Sequence, residues 1–340
     1  MDLIYTNSEM VDIGVLQNYQ FDLELGKNDN NFECSITSTD HCCAEGYFLH
    51  IEGTEYGGII DSIKVDTGTN QVVYSGRTWH GMLGSKIIVP LQSGETSVNG
   101  VTIKTQTASG ESLIDRYLVI SGNVISCLQF LIDRLGLSGL FITGGTSDVF
   151  IKNFQFDRYT DGYNGIVKML DSVNLRLQVD FQNGNVVLSV KEKHDYTTDE
   201  EFDPSLVELQ LTKKAKTVNH LICLGSGELE NRTVVHLYAD ADGDISQEQT
   251  QTGLNEYVAT FDFPFAESIE ELIKNGTENL AELWRTEEID IDLDDTSDLY
   301  NVGDKIGAAD NITGISVSGV ITKKIVSIKN DLITISYKVG

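Results

Sequence analysis

Tyr19-Gln20-Phe21-Asp22-Leu23-Glu24-Leu25, followed by the cluster Lys27-Asn28-Asp29-Asn30, sets the reading of this chain: a short apolar run that stops at residues suited to reversing the backbone. The same unit recurs to either side. Ile4-Tyr5 precedes it. Tyr47 to Ile51, Ile59 to Val65 and Val72 to Ser75 follow, the last two separated by Thr67-Gly68-Thr69-Asn70. Spacing this regular predicts an antiparallel sheet or barrel. Beyond Trp79, His80-Gly81-Met82-Leu83 and Ile87-Ile88-Val89-Pro90 fit a short helix or a strand equally.

The middle of the chain changes period. Val124, Ile125, Leu128, Leu131, Ile132 and Leu135 fall at helical spacing, with Ser121 or Asn123 as N-cap and Gly136 as the stop. A second helical pattern runs from Asp161 through Ile166, Val167, Met169, Leu170 and Val173. Arg176 to Asp180 and Val186 to Val190 flank Gln182-Asn183-Gly184-Asn185, a strong hairpin signal because Asn-Gly adopts the positive φ that a tight hairpin turn needs. Strands return past Pro204, with Val207, Leu209 and Leu211 on one face, then Val218 to Leu224 and Thr233 to Tyr238. One helix interrupts them: Ser268 and Glu271 form a capping box, and Ile269, Leu272, Ile273, Leu280, Leu283 and Trp284 carry the apolar stripe. A final hairpin turns at Lys329-Asn330-Asp331, between Ile325 to Ile328 and Leu332 to Tyr337.

Charge follows the same division. The 340 residues hold 52 acidic and 24 basic side chains, a formal net of −28, distributed as −9 over 1–110, −2 over 111–195 and −17 over 196–340. A near-neutral, helix-bearing α/β unit is therefore expected between two acidic, strand-rich parts. An anionic surface repels phosphate, which argues against sequence-specific or wrapping contact with nucleic acid. With 40% hydrophobic and 22% charged residues the chain can fill two or three cores, and 31 glycines against 3 prolines suit many tight turns. No run approaches the length of a membrane span, and Met1 to Met10 lacks the basic and apolar regions of a signal peptide, so synthesis in the cytosol is expected. Five cysteines, Cys34, Cys42, Cys43, Cys127 and Cys223, are an odd and sparse set, which predicts unpaired, mostly buried thiols.

No motif of bond chemistry stands up. Gly225-Ser226-Gly227-Glu228-Leu229-Glu230 imitates a dinucleotide-binding turn but has Glu230 at the third glycine, and Thr233 to Tyr238 beyond it alternates like a strand. A hairpin turn is the expectation. Asp240, Asp242 and Asp244 are spaced like calcium ligands, yet the glycine falls between the second and third and Gln251 stands where a bidentate Glu is required. His41, Cys42, Cys43 and Cys34 lack the paired spacing of a zinc site, and adjacent Cys42 and Cys43 are expected on opposite strand faces. The six histidines form no metalloprotease pattern, and there is no nucleophile elbow. No catalytic residue, metal or cofactor is therefore assigned. Acidic pairs such as Glu287 with Glu288 and Asp294 with Asp295 leave a glycoside hydrolase as the least favoured alternative. Glu288, Asp290, Asp292 and Asp294 alternate with Ile289, Ile291 and Leu293, which sets four carboxylates on one face of a strand.

Several blocks together resemble a known family: Gly76-Arg77-Thr78-Trp79-His80-Gly81, Val218 to Leu229, Arg232 to Tyr238, Asn301-Val302-Gly303-Asp304-Lys305-Ile306-Gly307-Ala308 and Thr313-Gly314-Ile315-Ser316-Val317. In combination they resemble siphovirus-type phage and prophage tail proteins related to baseplate hubs. The resemblance covers about residue 15 to the end and implies a mainly β fold with α+β insertions, built as two tube-like β-barrel domains plus smaller α/β domains. Residues 1–105 would be the first barrel domain, 106–200 the inserted α/β region, and 201–340 the second, with its helix at about 268–285 and the C-terminal hairpin. It implies a homotrimer at the distal tail, where six barrels cap a sixfold tube, seat a threefold spike or fibre and form part of the DNA channel. Its partners would be distal tail or tube proteins and the spike or fibre, and its place the tail tip or baseplate, after assembly in the host cytoplasm. The face Glu288, Asp290, Asp292 and Asp294 is then a candidate channel lining, and Trp79 and Trp284 candidate core or interface anchors. A receptor- or cell-wall carbohydrate-binding tail module, stacking some of the 13 tyrosines on sugars, is the first alternative.

Overall fold

A computed structural model describes residues 1–26, 30–98, 100–107, 110–197, 218–264, 266, 268–284, 289–293, 300–310, 315–329 and 332–339. The chain forms two compact units, residues 1–209 with 291–338, and residues 210–290 with 339–340.

Its first stretch runs β1 (Ile4–Thr6), β2 (Asp12–Val15), β3 (Gln20–Gly26), β4 (Asn31–Thr37), β5 (Phe48–His50), β6 (Gly57–Asp66), β7 (Gln71–Thr78) and α1 (Trp79–Gly84). Next come β8 (Ile87–Ile88), β9 (Val101–Ile103), β10 (Val119–Asn123), α2 (Val124–Arg134), β11 (Phe141–Thr143), β12 (Phe150–Gln155), β13 (Thr160–Asp161), α3 (Gly162–Asp171), β14 (Leu175–Gln182) and β15 (Asn185–Glu192). The second unit supplies β16 (His220–Leu224), β17 (Val234–Ala239), β18 (Ile245–Ser246), β19 (Val258–Asp262) and α4 (Ile269–Trp284). The chain ends with β20 (Ile289–Leu293), β21 (Lys305–Asp310), β22 (Ile315–Lys329) and β23 (Leu332–Val339). The protein is mainly β, with few helices.

One large sheet dominates, in the order β2-β1-β5-β6-β7-β4-β3-β22-β23-β20 with β21 on β22. Alternation decides its faces. Phe21, Leu23 and Leu25 of β3 and Phe32, Cys34 and Ile36 of β4 are buried, and the register Phe21↔Cys34 and Leu23↔Phe32 lines them up. β22 extends the rows from the far end of the sequence, setting Ile328 beside Phe21 and Val326 beside Leu23. The strands of the first hundred residues and those of the C-terminal hairpin, which the resemblance would divide between two barrel domains, share a continuous run of pairing among the described strands. The cause is the length of β22: its last seven residues, Lys323 to Lys329, continue as a full partner of β3.

Beside this sheet, α1, α2 and α3 pack with short sheets β12-β10-β9 and β11-β15-β14 around a core that includes Leu83, Leu128, Leu131, Ile166, Leu170 and Phe181. Helix ends are chemically specified. The Asn123 side chain accepts the Ile125 amide at the start of α2, and Gly136, at φ 70°, follows its last turn. Asp161 accepts the Asn164 amide at the start of α3. Thr78 does the same for Gly81, so the undecided segment after β7 is helical and Ile87–Ile88 is the strand. Asn183 and Gly184, at φ 51° and 75°, turn β14 into β15 as the Asn-Gly signal required.

In the second unit the sheet order is β18-β17-β16-β19, with β16 parallel to β19. Leu221, Cys223, Leu237 and Ala239 pack against Leu272 and Leu280 of α4. Ser268 accepts the Glu271 amide at the head of that helix. Its closeness to the sheet depends on Gly276, where a Cβ would lie 2.4 Å from the Cys223 sulfur.

Candidate functional site

The acidic strand is only partly visible. Asp290 and Asp292 fall within β20, whereas Glu288, Asp294, Asp295 and Glu287 lie outside the described residues. Trp79 opens α1 and is fully buried, stacked at 5.3 Å on Phe181 and 6.1 Å on Phe48. Trp284 ends α4 half-buried, with its indole against Gly243.

The remaining sequence candidates resolve into turns. Gly225 to Gly227 lies in the connection between antiparallel β16 and β17, where one 3-10 turn, Leu229–Asn231, follows and leads into strand β17 instead of an α-helix. The Asp240 carboxylate accepts the Asp242 and Asp244 amides, each at 2.9 Å, so it is committed to its own loop. Cys42 and Cys43 lie in a loop between β4 and β5, not on a strand, so the opposite-face expectation fails and their sulfurs approach to 3.7 Å. The Tyr74 hydroxyl gathers that loop. It accepts both cysteine amides, at 3.2 and 3.3 Å, and bonds His41 Nδ1 at 2.8 Å. Burial pushes the Tyr74 phenol up to about 12 and also raises the Cys34 and Cys43 thiols. All five thiols are free, four of them buried and Cys42 exposed. Among the described residues no group of three His, Cys, Asp or Glu side chains is placed to hold a metal ion, and no helix is long and apolar enough to cross a membrane.

What sequence reasoning missed is a buried ionic cluster in the first unit. Lys324 of β22 lies beneath the sheet with 2% of its side chain exposed, its Nζ 2.7 Å from Glu55 Oε1 and 5.3 Å from the centre of the Tyr56 ring. Glu55 Oε2 is 3.5 Å from His80 Nε2 of α1, and the His80 ring meets Tyr163 of α3 edge-on at 5.5 Å. Burial pushes the Glu55 carboxyl up, but Lys324, then His80 and Arg176 outweigh it and hold the group below the ordinary carboxylate range. His80 is pulled down by burial, and among the described residues its Nδ1 meets no hydrogen-bond partner. Nearby, Arg176 of β14 pairs with buried Asp304 at 3.2 Å, and Asp304 also accepts the His194 and Asn301 amides. Charges this enclosed act as a clamp between distant parts of the chain: a β5–β6 turn, two helices, β14 and the C-terminal strands.

The second unit holds another polar arrangement. His220 Nδ1 lies 2.7 Å from Glu256 Oε1 and its Nε2 lies 2.8 Å from His236 Nδ1, while Tyr238 stacks on His220 at 4.4 Å. The hairpin alternation could have revealed it, since even-numbered residues of β16 and β17 share one face. A pocket of about 200 Å³ beside α3 contains Asp157 and Lys168, already paired at 2.7 Å.

No protein-family model matches this chain, and no curated protein matches it in sequence. Solved structures do. The tail protein from Neisseria meningitidis MC58 superposes with a TM-score of 0.52 at 13% identity, covering 99% of this chain and 95% of that one. The 43 kDa tail protein of prophage MuSo2 from Shewanella oneidensis superposes with a TM-score of 0.53 at 10% identity, covering 100% and 98%. At this identity the likeness speaks to architecture alone, and it extends over both chains nearly end to end. The fold of this chain is that of these tail proteins.

Proposed function

We propose that the chain is a structural tail protein of a phage, prophage or tail-like particle, acting as a hub at the distal end of the tail tube. The observation that carries this reading is the near-complete mutual coverage with two tail proteins, 95% and 98% of their lengths. The carry-over from fold to role is by analogy with those proteins, since a fold by itself does not fix a function. Its work is assembly, without bond chemistry of its own.

In this role three copies form a ring whose sixfold-like face meets the tube and whose threefold face seats a spike or fibre. Three chains carry a formal −84, three times −28. Subunits this acidic repel one another, so their interfaces must be apolar or sheet-extending, with carboxylates kept to rims and lumen. The acidic segment of Glu288, Asp290, Asp292 and Asp294 is assigned to the lumen, where it would keep a passing duplex from sticking. Native mass spectrometry of the purified chain tests the ring. A species at three times 37.5 kDa, about 112 kDa, is expected; a dimer or tetramer would contradict it.

A further inference from the structure

Two sulfurs of the first unit lie within reach of each other. Cys42 and Cys43 are neighbours in sequence, and on a strand their side chains would point to opposite faces. They sit instead in the connection between β4 and β5, just past a 3-10 turn at Ser38–Asp40, and there Cys42 Sγ approaches Cys43 Sγ to 3.7 Å. The bend is held from the sheet. Tyr74 of β7, fully buried, accepts both cysteine amides at its hydroxyl, at 3.2 and 3.3 Å, and meets His41 Nδ1 at 2.8 Å. Three consecutive residues are thus tied to one oxygen, which keeps the two thiols together before any reaction.

The two thiols differ in access. Cys42 is exposed, whereas Cys43 is 3% exposed and its thiol is pushed up by burial and by Cys42. A reagent in solution therefore meets Cys42 first, and Cys43 stands behind it, placed to react with whatever Cys42 becomes. Cys34 of β4 is the competing partner for Cys43. It pairs in register with Tyr74, and Cys43 is among the groups that raise its thiol, but it is fully buried and offers a reagent no entry.

We infer that Cys42 and Cys43 form a reversible dithiol–disulfide couple, oxidised by low-molecular-weight disulfides through thiol–disulfide exchange. The Cys42 thiolate attacks one sulfur of the reagent R–S–S–R, breaking that bond and expelling RS⁻, which leaves a mixed disulfide on Cys42. The Cys43 thiolate then attacks the Cys42 sulfur, forms the Cys42–Cys43 bond and expels the second RS⁻. Two protein thiols give up two protons and two electrons, and the reagent, reduced, leaves as two thiols RSH. Ring closure brings the sulfurs together by about 1.7 Å, from 3.7 Å to the ~2.05 Å of a disulfide. Adjacent Cα atoms stand ~3.8 Å apart, short of the ~4.4–6.8 Å that most disulfides span, so the bond is strained and returns readily to the dithiol. That is the behaviour of a labile switch and not of a structural crosslink.

Incubating the reduced full chain with oxidised glutathione tests the couple, with free thiols then alkylated in denaturant and the peptides mapped by mass. The free-thiol count should fall from five to three, and the peptide holding Cys42 and Cys43 should lose two hydrogens and take no alkyl group. Dithiothreitol should restore all five. Cys43→Ser should stop with one glutathione on Cys42. Cys42→Ser, at an exposed position, should keep its remaining thiols free over the same period. A wild-type chain that keeps all five thiols, or that stops at the mixed disulfide, would overturn the inference. So would a Cys34–Cys43 bridge, a Cys42–Cys42 link between two chains, or oxidation of Cys43 in the Cys42→Ser chain.

Discussion

Replacing Lys324 with methionine removes the cation from beneath the large sheet while keeping a chain of similar length. Glu55 is then left with 15% side-chain exposure and without the partner that sat 2.7 Å away. Removing one member of a buried ion pair costs about 3–5 kcal/mol, because the remaining charge is neither hydrated nor neutralised. His80 at 3.5 Å and the more distant Arg176 offset part of this, which places the expected loss near the lower end, about 3 kcal/mol. With a urea dependence of about 3 kcal/mol per molar, the midpoint should fall by roughly 1 M. The two tryptophans make the assay selective, since Trp79 lies in the first unit and Trp284 in the second. In a Trp284→Phe background, fluorescence reports the first unit alone. The double variant Lys324→Met with Glu55→Met should recover more than half of the loss, because an apolar pair of similar volume carries no stranded charge. A single variant costing less than about 1 kcal/mol, or a double variant as unstable as the summed singles, would refute the clamp.

The buried histidines set a pH dependence of opposite character to a surface pair. Burial lowers both His50 and His80, so the unfolded chain binds more protons and stability rises with pH. Their contribution is complete above the ordinary imidazole value of about 6.5 and is lost as pH falls through the lowered values; Glu55, also depressed, adds a further loss below about 4.3. The urea midpoint of the first unit should thus fall between pH 7 and 5, and a flat or rising midpoint would contradict the assignment. Gly276→Ala should destabilise the second unit by about 1–3 kcal/mol, as Trp284 fluorescence reports, because its Cβ would meet the Cys223 sulfur at 2.4 Å and Leu237 at 2.8 Å. An unchanged Trp284 transition would show that α4 packs less closely than described. A thiol reagent should modify one cysteine rapidly in the native protein, Cys42, and all five in denaturant; fast reaction at Cys34 or Cys127 would contradict their burial.

Local chemistry was legible in the sequence, and long-range pairing was not. Asn123 and Gly136 mark the ends of α2, Ser268 marks the head of α4, and Asn183-Gly184 marks a hairpin, because each acts through backbone groups a few residues away. The β3–β22 pairing joins residues some three hundred positions apart, and nothing in either strand's alternation names its partner. The parallel pairing of β11 with β15 was equally silent. Lys324 shows how a site hides. Lys323-Lys324 reads as a solvated pair, yet Lys324 shares its face with Val326 and Ile328, both fully buried. Parity therefore pointed inward, and the charge is met there by Glu55, 269 residues away in sequence. The Glu256–His220–His236 line hid for a similar reason, its members being joined through a hairpin register and a loop.

The tail assignment is tested most directly by locating the chain in a particle. Cryo-electron microscopy of tails from the producing bacterium should show three copies ringing the axis at the distal end, between tube and spike, with the acidic strand toward the lumen. Complete tails assembled in a deletion strain, with the chain absent from every reconstructed ring, would contradict the account.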